Sequence, residues 1–218
     1  RKGPLWIVLV CLFLWVLYGG SSGFLGGGAQ SPDWMRAIQT PRMIRTSAGQ
    51  PDATGWVPVL SAAGGFSASV PGRFNEAIAA LKIGGRRTPV VIVGVKTEDL
   101  EFVAIAAKWT GGSQDLKTRV KTAVRSLCRF KNPVVVKEEL FDGKFPLIEM
   151  EGDAPAAKGL ARIIATDRAV YGLTVEGPAL TDDMRADARR FFESFATTAP
   201  EPNEAVIRDL IDGADPNQ

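Results

Sequence analysis

Residues 134–177 read VVVKEELFDGKFPLIEMEGDAPAAKGLARIIATDRAVYGLTVEG, and this stretch decides the fold. It holds four short apolar runs, at 134–141, 145–151, 160–166 and 170–177, each of strand length. Asp142-Gly143 separates the first two, and Thr166-Asp167-Arg168 separates the last two. Such turns close antiparallel hairpins, because Asp-Gly tolerates the left-handed backbone that a tight turn needs.

Working outward, the same grammar appears upstream. WVPVLS and GFSASVPG are joined by Ala-Ala-Gly-Gly, and PVVIVGVKT is separated from EFVAIAAKWT by a Glu-Asp turn. A helix then follows over 113–131. Ser113 is placed to cap it, Asp115 falls in its first turn, and Leu116, Val120, Ala123, Val124 and Leu127 form its apolar stripe. Asn132-Pro133 ends it. A second helix begins at Thr181, with Asp182 and Asp183 at its positive dipole end. Met184, Ala188, Phe191, Phe192 and Phe195 recur at helical spacing, so this helix lies on an apolar surface. The order predicts an α+β domain over 55–198, an antiparallel sheet sandwiched by helices.

Composition narrows the chemistry. The chain has 218 residues, 45% of them hydrophobic, which excludes whole-chain disorder. Lys+Arg number 26 against Asp+Glu 24, a net charge of +2 that gives no global reason to expect nucleic acid. There is no histidine, which removes Ser-His and Cys-His nucleophile pairs, His-assisted zinc sites and imidazole ligation of pigments. The two cysteines, Cys11 and Cys128, sit in unrelated surroundings, and no CxxC motif occurs.

Outside the domain lie three further regions. Residues 1–25 contain LWIVLVCLFLWVLY, an uncharged run of 14 residues from Leu5 to Tyr18 behind Arg1 and Lys2. Leu5, Trp6, Trp15 and Tyr18 mark the ends of an expected transmembrane signal-anchor, and the basic flank places its N-terminus in the cytoplasm with the domain periplasmic or lumenal. A signal-peptide core is the other reading of the run. Residues 26–54 read as a flexible tether, yet they carry Trp34, Met35, Arg36, Met43 and Ile44. These side chains either fold back on the domain or dock on a partner. Residues 199–218 form a Pro-rich tail holding EAVIRDLI.

Several motifs together resemble the PsbP-like family of extrinsic subunits of photosynthetic membranes. GFSASVPGRF is similar to its opening strand; FDGKFPLIEMEG, GLARIIATDRAVYGLTVEG and ARRFFESFAT are similar to its closing strands and helix. Tyr171, Phe192, Ser194 and Phe195 carry most of the likeness, which spans roughly residues 56–198. The resemblance implies an α/β/α sandwich and a non-catalytic accessory role on the electropositive side of an energy-converting membrane. With the anchor added, the expectation is a scaffold subunit bracing a photosynthetic reaction centre and its light-harvesting antenna, with those polypeptides and the lipid bilayer as partners. A periplasmic ligand-binding or sensory module and a transient assembly factor are the alternatives.

No catalytic residue, cofactor site or metal site is expected. Asp182-Asp183 reads as helix-end charge. Glu149 and Glu151 alternate on one strand face near Glu138 and Glu139, an ordinary solvated face or, alternatively, a Ca²⁺ site. The glycine clusters lack the P-loop and dinucleotide signatures. One feature is less ordinary: Lys117, Lys121 and Arg125 recur every fourth residue on the first helix, with Arg129 a turn further. This is either a solvated face or a docking ridge for an acidic partner or anionic lipid.

Overall fold

The computed structural model describes residues 42–47, 50–109, 115–154 and 157–198. All lie in a compact unit, Pro32–Gln218; the separate unit Arg1–Ser31 is outside the described residues. The elements in chain order are β1 (Arg42–Ser47), β2 (Trp56–Ser61), β3 (Phe66–Pro71), β4 (Phe74–Ile83), β5 (Arg86–Lys96), β6 (Glu101–Lys108) and α1 (Leu116–Leu127). Then follow β7 (Lys131–Phe141), β8 (Phe145–Ala154), β9 (Ala157–Ala165), β10 (Ala169–Gly177), α2 (Asp182–Glu193) and β11 (Ala196–Thr197).

Eight strands form one sheet in the order β1-β4-β5-β6-β10-β9-β8-β7, and β11-β3-β2 form a second of three. Every neighbouring pair is antiparallel. Both faces of the large sheet are covered, which is why its central strands are near-continuous apolar runs. Strand alternation sorts them cleanly. Val93, Val95, Phe102, Ala104, Tyr171, Leu173 and Val175 face the small sheet and α2, where Trp56, Phe66, Phe191 and Phe195 complete the core. Val90, Ile92, Val103, Ala107, Ile163 and Val170 face α1. The α+β sandwich with two helices is therefore seen, with part of the expected single sheet split off as a second layer beside α2.

Local differences from the sequence reading have simple causes. Strand β4, FNEAIAALKI, has the Ala, Glu and Leu content of a helix, yet it pairs with β5 from Asn75↔Gly94 to Ile83↔Arg86. Pairing and burial override propensity there. Gly84 and Gly85 take φ of 57° and 85°, closing the β4–β5 hairpin in a turn that needs a left-handed backbone twice. Asp115, not Ser113, caps α1: its side chain accepts from the Thr118 amide at 2.8 Å, whereas Ser113 lies outside the described residues. The helix stops at Leu127, earlier than Asn132-Pro133 suggested, because Phe130 drops into a slot made by two glycines. A Cβ on Gly159 would lie 2.4 Å from its ring, and one on Gly152 2.7 Å from its Cβ. Residues 42–47 of the expected tether form β1, paired with β4.

The transmembrane helix expected ahead of the domain is corrected. Among the described residues no helix is long and apolar enough to cross a membrane, and Leu5, Trp6, Trp15 and Tyr18 lie outside them. The physical weakness is length: 14 unbroken apolar residues from Leu5 to Tyr18 reach only about 21 Å as a helix, short of a hydrocarbon core of about 30 Å. The single-pass topology, the periplasmic or lumenal placement and the lipid bilayer as a partner are withdrawn with it.

Candidate interaction surfaces

Of the carboxylates that the sequence offered as candidates, Glu149 and Glu151 are engaged by arginines of the fold, whereas Glu138 and Glu139 are exposed on β7. Glu149 on β8 accepts from Arg162 on β9, whose Nε lies 2.9 Å from Oε1, and Arg162 also donates to the carbonyl of Phe192 and lies over that ring. Glu151 takes both guanidinium nitrogens of Arg185 on α2, a bond that pushes the pKa of Arg185 up. Arg190 bonds Asp52 at 2.7 Å and lies 4.4 Å over Trp56. The Glu149/Glu151 face is thus a set of arginine clamps holding α2 on the sheet. Among the described residues no group of three or more His, Cys, Asp or Glu side chains could hold a metal ion.

A second polar cluster looks more chemical at first sight. Ser61 donates to Glu76 at 2.6 Å, Glu76 also accepts from Arg45, and Ser61 Oγ accepts from the Gly64 amide at 3.0 Å. Ser61 is fully buried, however, and Arg45 extends on to the Leu60 carbonyl. The cluster ties β1 and β2 to β4. Arg119 plays a similar part below α1. It donates to the carbonyls of Thr166 and Asp167 and lies over Trp109; burial lowers its pKa while Asp167 opposes the shift.

Two surfaces are left for work outside the fold. The first is β7, an edge strand whose residues are all exposed except Phe141. Val134, Val135, Val136 and Leu140 are 49–63% exposed, and the other large exposed apolar side chains among the described residues are Met43 and Leu60. The edge is not a plain one. Register shifts fall between Lys131 and Val134 and between Val135 and Lys137, Pro133 removes an amide, and Lys137 pairs with Glu139 at 2.8 Å. These devices blunt indiscriminate strand pairing. Phe130, wedged between β8 and β9, fixes where β7 begins.

The second surface is basic. Lys117, Lys121 and Arg125 are exposed along α1, about 6 Å apart per step of four residues. The tip of the β4–β5 hairpin reaches the same helix: the Gly84 amide donates to Ser126 Oγ at 3.3 Å, and a Cβ on Gly84 would lie 3.3 Å from the Thr122 methyl. Strand register divides the exposed bases of this hairpin: Arg86 pairs with Ile83, which packs in the core on the α1 side, whereas Lys82 pairs with Arg87 on the opposite face of the sheet. Arg129 is not part of the row, since it reaches Glu176 at 3.5 Å.

Of the expected docking residues, Trp34, Met35 and Arg36 lie outside the described residues. Met43 is exposed on β1, whereas Ile44 packs with Ile78 and Val91. Lys117, Lys121 and Arg125 stay together on one surface. The sequence reading missed the exposure of the three valines, for which Pro133 beside Lys137-Glu138-Glu139 was a signal.

No family model matches the chain, and no curated protein matches it. The PsbP-like resemblance is therefore withdrawn, and with it the reading as an accessory subunit of a photosynthetic reaction centre and antenna and those polypeptides as partners. The reason is visible in the residues that carried the likeness. Tyr171 is fully buried and meets Phe66 and Phe195 edge-on; Phe192 lies under Arg162. Ser194 accepts from the Ser69 amide and donates to the Phe191 carbonyl, both at 2.8 Å. Every one of them encodes how a helix packs on a sheet, and packing motifs do not carry function.

Proposed function

We propose that this chain is a non-enzymatic protein-binding module and that β7 is where it takes its partner. The carrying observation is the exposure of Val134, Val135, Val136 and Leu140 on a strand whose outer backbone edge has no neighbour among the described residues. Burial of each half-exposed side chain against a partner contributes on the order of 1 kcal/mol, and backbone pairing adds direction. The bulges and Pro133 restrict the edge to a partner shaped for it. The arginine clamps and the Ser61–Glu76 bond support the non-enzymatic reading, since they commit the buried ionisable groups to holding elements together.

The test places a photo-reactive side chain at Val136 of the full chain and at exposed Glu193 on α2 as a control. The expected outcome is a discrete cross-linked partner from position 136 in extracts of the source cells. That band disappears in a Val135→Asp, Leu140→Asp background, and position 193 yields none. Equal labelling from both positions, or a band indifferent to the substitutions, rejects β7 as the docking edge.

A further inference from the structure

We infer that the partner taken by β7 is a second copy of this chain, paired antiparallel through residues 136–140 about a two-fold axis at Glu138. The inference rests on the reading of β7 as the docking edge and names its occupant. A two-fold interface asks one surface to complement itself, so the edge must match its own reversal. The run is Val136-Lys137-Glu138-Glu139-Leu140, exposed throughout. Reversed about Glu138, it sets Lys137 opposite Glu139 twice and Val136 opposite Leu140 twice. The faces agree. Lys137 and Glu139 stand on one side of the sheet, against Glu149 and Leu147 of β8, and within one chain they already pair at 2.8 Å. Two copies therefore close a ring of four alternating charges.

Neighbouring registers lack this match. Side chains opposite each other must share a face, so the axis falls on a residue and never between two. Centred on Lys137, the pairing sets Glu138 against Val136 and Glu139 against Val135. Centred on Glu139, it sets Glu138 against Leu140 and Lys137 against Phe141. All three centres bring a charged residue against its own copy, so that cost does not choose between them. The backbone is free to pair there. The Phe141 carbonyl accepts from the Lys144 amide inside the turn at 3.1 Å, so by alternation Glu138 and Leu140 turn their N–H and C=O to the open side. The devices that blunt the edge fall away from the paired stretch. Pro133 comes opposite Gly143, past the turn, and the register shift between Val135 and Lys137 sits at the end of the run. A paired stretch this short falls far below the ~20–30 residues a side of a stable complex, so the association is reversible and depends on concentration.

The experiment follows self-association of the full chain by energy transfer between donor- and acceptor-labelled copies across a dilution series. The mass of the product cross-linked from position 136 is the second readout. Expected are transfer that rises with concentration and a product of twice the chain mass. Lys137→Glu and Glu139→Lys each set like charges opposite each other and weaken self-association by about tenfold. Mixed together, the two variants associate as wild type does, because each then meets its opposite. Glu138→Gln removes the repulsion on the axis and tightens the dimer. A monomeric chain whose position 136 captures a different protein overturns the second copy as occupant and leaves β7 as the docking edge. A monomeric chain that captures nothing overturns both. Self-association that neither reversal weakens, or that mixing fails to restore, overturns the pairing.

Discussion

At the scale of single residues, the most informative contact is the ring of Phe130 against Gly152 and Gly159. Neither glycine is needed for an unusual backbone; each is needed because a Cβ would collide with the ring. Gly159→Ala is expected to cost about 1–3 kcal/mol through overpacking, and Phe130→Ala about 3–5 kcal/mol through loss of a buried aromatic. The double variant is expected to lose less than the sum, because the alanine methyl fills part of the space the ring vacates. Urea denaturation of the four proteins checks this, and strict additivity would show that ring and glycines are not one unit. Asp115 offers a pH test. Bonds from the Thr118 hydroxyl and amide hold its pKa below the ordinary aspartate value. A lowered folded pKa means its contribution is present above the unfolded pKa and is lost as pH falls through the folded one. Wild type is therefore expected to melt above Asp115→Ala at neutral pH, and the two melting curves to converge in strong acid. A gap that persists there excludes the carboxylate as the cap.

At the scale of elements, the sequence spoke clearly wherever periodicity and turn chemistry agreed. The Asp142-Gly143 hairpin, the strands β5, β6, β9 and β10, and the buried stripe Met184, Ala188, Phe191 and Phe192 of α2 all stand where the pattern put them, and Phe195 is buried just past the end of that helix. It was silent where a strand is made by its neighbours. β4 owes its conformation to β5, and no local feature of FNEAIAALKI distinguishes it from a helix. The interaction surfaces divide in the same way. A row of bases every fourth residue is legible on a helix, but the hairpin tip that packs on the same helix, Gly84 against Ser126, is 42 residues away in sequence and is brought there only by folding. On β7 the local signals were Pro133 and the Lys137-Glu138-Glu139 run, and the place of the strand at the edge of the sheet is what leaves Val134, Val135 and Val136 exposed.

At the scale of the molecule, protection from solvent should follow sheet order. β5, β6, β9 and β10 are flanked on both sides and covered on both faces, while β1 and β7 are the outer strands. Native-state hydrogen exchange is expected to be slowest through Val91–Val95, Phe102–Ala106 and Tyr171–Val175, and to release β7 first by local opening. Uniform protection across all strands would mean that the edge is held by something other than its hairpin. The arginine clamps on α2 have one more consequence. Arginine keeps its charge at any pH a cell or a buffer reaches, the chain has no histidine, and Asp52 is pulled further from neutrality by its bonds to Thr54. Burial moves the Cys128 thiol upward, away from the same range. Thr54 and Glu151 thus hold Asp52 and Arg185 in their charged forms, so neither of these two ends of the clamps is a place where a change of acidity between mild acid and mild alkali would loosen α2.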